Sequence, residues 1–261
     1  MKIKSRVFKI IAGLLIFFLL LVVIIGIYLF IKIKDLNDSV NSPLERSHSE
    51  LRKNPAKEGD PMTVVLYGID SDSQRQQENS VQRSDSIVLM SINPEDKKTV
   101  MVSIPRDTRA KIVGKNTTEK INHAYAYGGP DMAVKSLEKL MDVPVDHYVS
   151  INMDGVKTVV DELGGVTLTS NASFTTKDTE NTYQFKKGKE YKMNGEQALA
   201  YMRSRKEEGA GGDEGRQQRQ QQVITVVAKE ALSINSVTKL NGIFKAAQNN
   251  LKTDLSFVQL N

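Results

Sequence analysis

Five charged residues lie where three stretches rich in β-branched side chains begin or end: Asp70, Arg83, Asp85, Arg106 and Asp107. The stretches are 63–69, 86–92 and 98–104, and their composition predicts β-strands. If these strands run as an antiparallel meander, all five charges meet at one edge of a sheet. Carboxylates beside two guanidinium groups could hold a divalent cation and an anion together. The alternative is a solvated rim of surface ion pairs, each contributing about 0–1 kcal/mol.

A second group of arginines lies in residues 201–222, "YMRSRKEEGAGGDEGRQQRQQQ", which contains four arginines and five glutamines. A helix is predicted over 213–233, and one of its faces carries Arg216, Arg219, Gln220, Val223 and Val227. This i, i+3, i+4, i+7 spacing places the arginines on the inward-facing stripe of the helix. A buried or half-buried guanidinium needs an anion, and the free N–H groups at a helix start favour phosphate.

The other two arginines of this stretch, Arg203 and Arg205, are two residues apart. On a helix they would diverge by about 200°. They can converge only if the chain leaves the helix near Met202, which the following "KEEGAGG" favours. The alternative is that the arginines pair with acids of the same loop: Glu207, Glu208, Asp213 and Glu214.

The two groups of charges together suit a reaction at a phosphate. Asp70 and Asp85 would repel an anion unless a cation lay between them, and Mg²⁺ favours one or two protein carboxylates plus phosphate oxygens. Carboxylates, metal and arginines suit phosphoryl transfer, in which positioning and charge stabilisation supply most of the catalysis. Other chemistries are disfavoured, because the chain has no cysteine, no metal-ligand spacing among its three histidines, and no nucleophile-elbow, H-E-x-x-H or Walker motif.

The elements that must position these charges alternate between helix and strand. The pattern predicts further helices at 128–142, 153–165 and 194–202, and further strands at 146–151 and 165–170. Interleaved helices and strands indicate an α/β or α+β domain with a central mixed β-sheet flanked by helices. The segment "INHAYAYGG" at 121–129 either lines a pocket through Asn122 and His123 or packs beside a turn.

The first 60 residues differ in composition from the rest. Residues 10–31 form an uncharged apolar run of 22 residues, long enough at about 1.5 Å per residue to cross a bilayer. Four basic residues precede this run without an acid, so the positive-inside rule predicts a single-pass type II protein of the cell membrane. Its parts are a cytoplasmic tail (1–9), the anchor (10–31), an extracellular stalk (32–61) and an extracellular domain (62–261). The first 60 residues carry +4 of the net charge of +5, so the domain lacks the basic excess of a nucleic-acid binder.

Seven motifs in this order resemble the LytR-CpsA-Psr proteins of Gram-positive cell envelopes: "LYGID", "RSDSI", "SIPRDT", "KINHAYAYGG", "VDELGGV", "GEQALAYMRSRK" and "DEGRQQRQQ". The resemblance covers roughly residues 63–232 and implies the family's single catalytic domain. It also implies a ligase that moves an anionic glycopolymer, such as wall teichoic acid or capsular polysaccharide, from undecaprenyl pyrophosphate to peptidoglycan. The acceptor would be the C6 hydroxyl of N-acetylmuramic acid, and the product a phosphodiester. Family members usually continue beyond the final "TDLSFVQLN", so a truncated C-terminus is expected.

The resemblance also implies roles for the charged residues. Asp70 and Asp85 match the ligands of Mg²⁺, or of Mn²⁺ in its place. The residues that match the pyrophosphate-binding and catalytic arginines are Arg83, Arg106, Arg203, Arg205 and Arg216. Arg219 also matches the pattern, Gln220 matches a pocket-lining glutamine, and Asp107 is expected to orient Arg106. The apolar core between the sheet and the helices would receive the polyprenyl tail.

Two other functions stay open on the sequence. One is a non-catalytic envelope sensor or transcriptional attenuator that binds a polyprenyl-linked polyanion. A cytoplasmic tail of about nine residues disfavours it, because such a tail is too short for a DNA-binding domain. The other is a hydrolase of the same lipid pyrophosphate, which needs only water in place of the sugar hydroxyl.

Overall fold

A five-stranded mixed sheet lies at the centre of the computed structural model, which describes residues 39–57, 59–69, 82–177, 181–232, 243 and 250–255. The described strands are β1 (Met62–Ile69), β2 (Ser84–Asn93), β3 (Lys98–Ser103), β4 (Arg109–Ile112), β5 (Thr117–Lys120), β6 (His147–Asn152), β7 (Val166–Thr169), β8 (Phe174–Lys177), β9 (Thr182–Phe185), β10 (Glu190–Met193) and β11 (Leu251–Thr253). The helices are α1 (Asn122–Met141), α2 (Met153–Glu162), α3 (Gly195–Arg203) and α4 (Gly212–Leu232).

The central sheet has the order β11-β6-β1-β2-β3. Strands β1, β2 and β3 form the predicted antiparallel meander, and β1 runs parallel to β6. Val88 lies opposite Leu66 on one side and Ser103 on the other. The end of β1, the start of β2 and the end of β3 therefore lie at one edge of the sheet, as the sequence predicted.

Two apolar clusters hold the described elements together. The first lies between the sheet and α1 and includes Val65, Tyr67, Leu89 and Leu137, all buried. The second joins α2, α3 and α4 to the short sheets β7–β10 and β8–β9. Burial of large apolar side chains is the main favourable term in folding. The two clusters therefore hold the helices and strands in place, and with them the loops that connect these elements.

The helices agree with the predicted ones to within one residue at each end, except that α2 ends at Glu162 instead of 165 and that α1 begins earlier than predicted. Helix α1 begins at Asn122, not at 128, and is interrupted at Gly128 (φ −142°, ψ 25°) and Gly129 (φ 59°, ψ −151°) before it resumes. The "INHAYAYGG" segment thus forms a short helix, and the non-helical backbone of the two glycines separates it from the predicted helix that follows. Helix α3 begins with a capping box, in which Asn194 accepts a hydrogen bond of 2.9 Å from the backbone N–H of Gln197.

Residues 40–57, within the predicted stalk of 32–61, pack against the domain. Arg46 donates to Glu138 and to the carbonyl oxygen of Val145, and Arg52 donates to Asp146 at 2.7 Å. Residues 40–57 therefore belong to the same compact unit as the domain. Composition alone does not reveal this packing, because the partners of Arg46 and Arg52 lie 92 and 94 residues away in the chain.

The remaining N-terminal predictions, the tail and the anchor at 10–31, lie outside the described residues. In the part of the chain that the structure describes, no helix is long and apolar enough to cross a membrane.

Candidate active site

Asp85 and Arg106 meet at the sheet edge where the sequence predicted a convergence of charges. The Arg106 Nη1 atom lies 2.9 Å from Asp85 Oδ2, and both side chains are half-buried. The loop after β3 is held to β2 by a hydrogen bond of 2.9 Å from the Ile104 N–H to the Ile87 carbonyl oxygen. Burial alone would lower the pKa of Arg106, but the hydrogen bond and charge of Asp85 outweigh it, and the pKa is raised. Arg106 is therefore a permanent cation.

Asp107 lies beside this pair but has a closer partner of its own. Its carboxylate is 2.6 Å from Lys120 Nζ and 3.9 Å from Arg106 Nε. The hydrogen bond from Lys120 lowers the pKa of Asp107. The orienting contact to Arg106 expected from the sequence is the longer of the two, and Lys120 is a neighbour that the sequence analysis missed.

A second ion-pair group links the loop after α3 to the start of α4. Asp213 accepts from Arg205 Nη2 and from Arg216 Nη2, each at 2.8 Å. The helix ends at Arg203 because Ser204 leaves the helical region (φ −55°, ψ 127°), as the convergence of Arg205 required. The Asp213 carboxylate is thus shared by two guanidinium groups. This is, in part, the pairing with acids of the same loop that the sequence left open.

Arg216 has hydrogen-bonding capacity that no described residue uses. Its side chain is only 14% exposed, and its buried Nε–H has no hydrogen-bond partner among the described residues. Burial lowers the pKa of Arg216, and the positive charges of Arg106 and Arg205 lower it further. Three guanidinium groups in mutual electrostatic reach have two close carboxylate partners, those of Asp85 and Asp213, while the Asp107 carboxylate lies 3.9 Å from Arg106 and is paired with Lys120. We call Arg106, Arg205 and Arg216 the arginine cluster. With Lys120, the described residues place four cations against three carboxylates, and this excess positive charge and the unused donor suit an anion.

Arg219 stands apart from the arginine cluster, and its contacts differ from those expected of the pyrophosphate-binding residue with which the family pattern groups it. Its side chain is 0% exposed, and it donates to the backbone carbonyl oxygens of Tyr201 (2.9 Å), Ala210 (2.7 Å) and Ser204. Its guanidinium also lies 4.7 Å from the ring centroid of Phe174. Three carbonyl oxygens and an aromatic face satisfy this buried cation without an external anion.

The carbonyl site around Arg219 shapes the loop that carries Arg205. By binding Tyr201, Ser204 and Ala210 it fastens the end of α3 and the following loop onto α4. Gly215 permits this close packing, because a Cβ atom there would overlap the Ala210 carbonyl oxygen and lie 3.1 Å from Arg219 Nη1. Arg219 is therefore a structural residue that positions the arginine cluster.

Gln220 lies at the inner end of the site. It is buried, and its Oε1 accepts a hydrogen bond of 2.9 Å from Ser86 Oγ, one residue beyond Asp85 on β2. The predicted inward stripe of α4 is confirmed, since Arg219, Gln220 and Val223 are buried. The contact fixes α4 against the sheet beside the Asp85–Arg106 pair.

The other predicted site residues take different positions. Asp70 lies outside the described residues. Arg203 is the last residue of α3 and is exposed, and it forms no ion pair with a described carboxylate. Arg83 is also exposed and lies near Tyr127, where its charge opposes a rise in the pKa of Tyr127 that a hydrogen bond to Glu119 causes. The structure thus brings Arg106, Arg205 and Arg216 together and leaves Arg83 and Arg203 at the surface.

A polar group built on Glu119 flanks the site on the α1 side. Glu119 Oε2 is 2.8 Å from His123 Nδ1 and accepts from the Tyr127 hydroxyl at 2.8 Å. These hydrogen bonds, that of His123 first, lower the pKa of Glu119 to about 2. The backbone N–H of Asn122 donates to the Arg106 carbonyl oxygen at 3.3 Å, which places this group next to the arginine cluster. His123 was a candidate on the sequence, whereas Glu119 was not, because no motif marks the pairing of Glu119 with His123 and Tyr127.

The described residues can offer a metal ion a partial set of ligands. No group of three or more His, Asp or Glu side chains in the described part of the chain converges as a metal site. Asp85 binds Arg106 through one oxygen and is 22% exposed, so its second oxygen can serve as a ligand. This donor set does not form an all-protein cage, but it fits Mg²⁺, which needs only one or two carboxylates when phosphate oxygens and water complete the shell.

Comparisons with known proteins identify the family of the chain. The family model described as the LytR_cpsA_psr family matches residues 27–261. A Halalkalibacterium halodurans protein named polyisoprenyl-teichoic acid–peptidoglycan teichoic acid transferase TagU is 39% identical over 233 residues, covering 88% of this chain and 74% of the relative. The crystal structure of Bacillus subtilis TagU matches with a TM-score of 0.62 and 44% identity, over 77% of this chain and 79% of that one. A structure of TagT bound to LIIa-WTA matches with a TM-score of 0.66 and 34% identity, over 84% and 80% of the two chains. The chain therefore belongs to the LytR-CpsA-Psr family.

Proposed function

We propose that this protein is a Mg²⁺-dependent phosphotransferase that attaches an anionic glycopolymer of the wall teichoic acid type to peptidoglycan. The donor is the polymer on undecaprenyl pyrophosphate, and the acceptor is the C6 hydroxyl of N-acetylmuramic acid. The observation that carries the proposal is the arginine cluster, where the described cations, Lys120 included, outnumber the carboxylates and Arg216 has an unused buried donor. Relatives about 40% identical, named as teichoic acid transferases that act on polyisoprenyl-linked polymer and peptidoglycan, support the substrate class.

The arginine cluster would bind the pyrophosphate of the donor. A phosphate oxygen can replace Asp213 as the partner of Arg205 and Arg216, because guanidinium groups bind phosphate through paired N–H donors. Asp85 holds Arg106 at the sheet edge, so its guanidinium is oriented before the donor arrives. Donors placed in this way stabilise the charge that develops on phosphate oxygens in the transition state.

The reaction exchanges one P–O bond for another. The acceptor hydroxyl oxygen bonds to the phosphorus that carries the polymer, and the bond from this phosphorus to the bridging oxygen breaks. The bridging oxygen leaves with the electron pair as part of undecaprenyl phosphate, whose charge the arginine cluster balances. The hydroxyl proton passes to a base. The products are a polymer–peptidoglycan phosphodiester and the lipid monophosphate.

Asp85 would hold Mg²⁺ together with the predicted ligand Asp70, and Mn²⁺ could take its place. When bound, the ion neutralises phosphate charge and orients the two phosphoryl groups. The carboxylate of Asp85 then has two tasks, since it binds both Arg106 and the ion. This arrangement couples the position of Arg106 to the metal.

The sheet face opposite α1 offers an apolar surface for the prenyl chain. The registers of β1, β2, β3 and β6 place on this face the half-buried residues Leu66, Met90, Met101, Val149 and Ile151. Side chains at paired positions of neighbouring strands lie on the same face. A prenyl chain on this surface would keep the pyrophosphate at the sheet edge, next to Asp85.

An anchor at 10–31 would hold the domain at the extracellular face of the cell membrane as a type II protein. A lipid-linked donor is confined to that membrane, so the anchor raises the chance of encounter. This placement also puts peptidoglycan within reach.

The test is transfer by the full-length chain from a lipid-linked polymer to peptidoglycan strands. We expect joined product with Mg²⁺, and its loss with a chelating agent or in Arg106→Ala. Arg109→Ala is the matched control, because Arg109 is an exposed arginine on β4 outside the arginine cluster. Joined product that persists unchanged in Arg106→Ala would refute the proposal, and free polymer phosphate in place of joined product would identify a hydrolase.

A further inference from the structure

A groove with both polar and apolar lining runs along α4 beside β3 and β7. Its volume is about 640 Å³, within the roughly 300–1,000 Å³ that is usual for small-ligand sites. Helix α4 lines it with Gln218, Gln221, Gln222 and Thr225, which recur at i, i+3, i+4 and i+7. The stripe is offset by two residues from the stripe of Arg216, Arg219, Gln220 and Val223, so the two lie about 200° apart on the helix.

We propose that this groove binds the uncharged sugar backbone of the peptidoglycan acceptor. The inference rests on the proposed function and adds to it the place of the second substrate. It also accounts for the glutamines of residues 217–222 that neither the anion site nor the core uses.

The amides of the groove are held in place by hydrogen bonds to the protein. Gln221 Nε2 donates to Ser103 Oγ at 2.9 Å. Gln222 accepts from the Tyr201 hydroxyl at 2.9 Å and donates to the Thr169 carbonyl oxygen at 3.3 Å. Each amide has two N–H donors and a carbonyl oxygen with two lone pairs, so one or two bonds leave further capacity. Fixed amides with spare donors and acceptors suit the hydroxyl and N-acetyl groups of a sugar chain.

The charge of the groove selects against the polymer donor. Of the described residues that line it, only Glu190 carries a charge, and it is negative. A teichoic acid phosphate would meet repulsion and no cation there, whereas the arginine cluster has excess positive charge. Met101, Leu168 and Val226 add apolar surface, which suits the C–H faces of pyranose rings. The groove therefore matches a neutral glycan.

The groove reaches the end of β3, from which the chain leads to the arginine cluster. The hydrogen bond from Gln221 reaches Ser103, at the end of β3 three residues before Arg106. A sugar chain in the groove would thus extend toward the arginine cluster, where its C6 hydroxyl is required.

The variant Gln218→Leu/Gln221→Leu tests the proposal in the full-length chain, because it removes two groove amides without touching the arginine cluster. Gln184→Leu is the matched control, since Gln184 is an exposed glutamine on β9 outside this groove. The binding probe is a neutral tetramer of β-1,4-linked N-acetylglucosamine, measured by calorimetry. We expect about ten-fold weaker binding in the double variant, from two lost hydrogen-bonding groups, and wild-type binding in the control. In transfer assays, the KM for acceptor strands should rise about ten-fold while kcat and the KM for the donor stay the same.

The same probe separates this inference from the proposed function. Arg106→Ala should lose transfer and still bind the tetramer as the wild type does. If the wild type transfers no polymer but the tetramer binds and the double variant weakens it, the proposed function fails and the groove stands as a glycan site. The inference is overturned if the wild type does not bind the tetramer or if the double variant binds it normally. Displacement of the tetramer by soluble poly(glycerol phosphate) would also overturn it.

Discussion

Arg216 and Arg219 lie one turn apart on the same face of α4, yet their surroundings differ in kind. Arg219 is enclosed and donates to three backbone carbonyl oxygens. Arg216 has one shared carboxylate, two neighbouring cations and a buried Nε–H that no described residue accepts. An inward-facing arginine is therefore a ligand-binding candidate only when the protein leaves its donors unused.

Removal of the Arg219 guanidinium, which binds three backbone carbonyl oxygens, should have the greatest effect on stability. Arg219→Met should lower the free energy of unfolding by about 3–5 kcal/mol, because three buried carbonyl oxygens lose their donors. Chemical denaturation of the full-length chain, with Arg109→Met as the control, measures this loss. A variant as stable as the wild type would mean that the carbonyl site does not hold the loop.

The same substitution at Arg216, in the arginine cluster, should leave the stability of the fold nearly unchanged and remove most of the transfer activity. Arg216→Met relieves repulsion with Arg106 and Arg205, so the free energy of unfolding should stay within about 1 kcal/mol of the wild type. The transfer rate should fall by about 10²–10³, as for the loss of one donor that stabilises transition-state charge. Equal effects of the two methionine variants on stability and on rate would erase the distinction between the two arginines.

Gly215 offers a test of how tightly the two regions are joined. In an exposed helix, replacing glycine by alanine stabilises by about 1 kcal/mol. Here the added Cβ would overlap the Ala210 carbonyl oxygen and crowd Arg219. We therefore expect Gly215→Ala to lower the melting temperature, and a rise would show that the loop can move away without cost.

The smallest effect is expected at Glu119, in the polar group beside the arginine cluster. The pKa of Glu119 is lowered to about 2, chiefly by the hydrogen bond with His123, against an ordinary value of about 4.3. A lowered folded-state pKa stabilises above the unfolded value, and this contribution disappears as the pH falls toward 2. An NMR titration should give a Glu119 midpoint near 2 and a higher one in His123→Ala. A wild-type midpoint near 4.3 would show that the contact does not form in solution.

Periodicity and strand composition were enough to predict the framework of the site. Asp85 lies on β2 and Arg106 follows β3, and the predicted antiparallel meander brings the two residues together. The exit of the chain from α3 near Met202 was also foreseen, because glycines follow it. Both inferences use local patterns whose spatial outcome is determined by strand and helix geometry.

Contacts with no local pattern were not predictable. Helical spacing placed Arg219 inward, but it cannot tell whether a guanidinium meets carbonyl oxygens or an anion. The same limit applies to residues 40–57, whose arginines pair with Glu138 and Asp146 far along the chain. The β4–β5 hairpin was not predicted either, because β4 alternates over only four residues and the residues of β5 are polar and mostly exposed.

The most direct test of the distinction between the two arginines is the NMR signal of each Nε–H group during titration of the full-length chain with magnesium and inorganic pyrophosphate. We predict that the Arg216 signal shifts with pyrophosphate concentration while that of Arg219 does not move. Binding of pyrophosphate with the Arg216 signal unchanged, or with Arg219 shifted in its place, would contradict the assignment of the anion site.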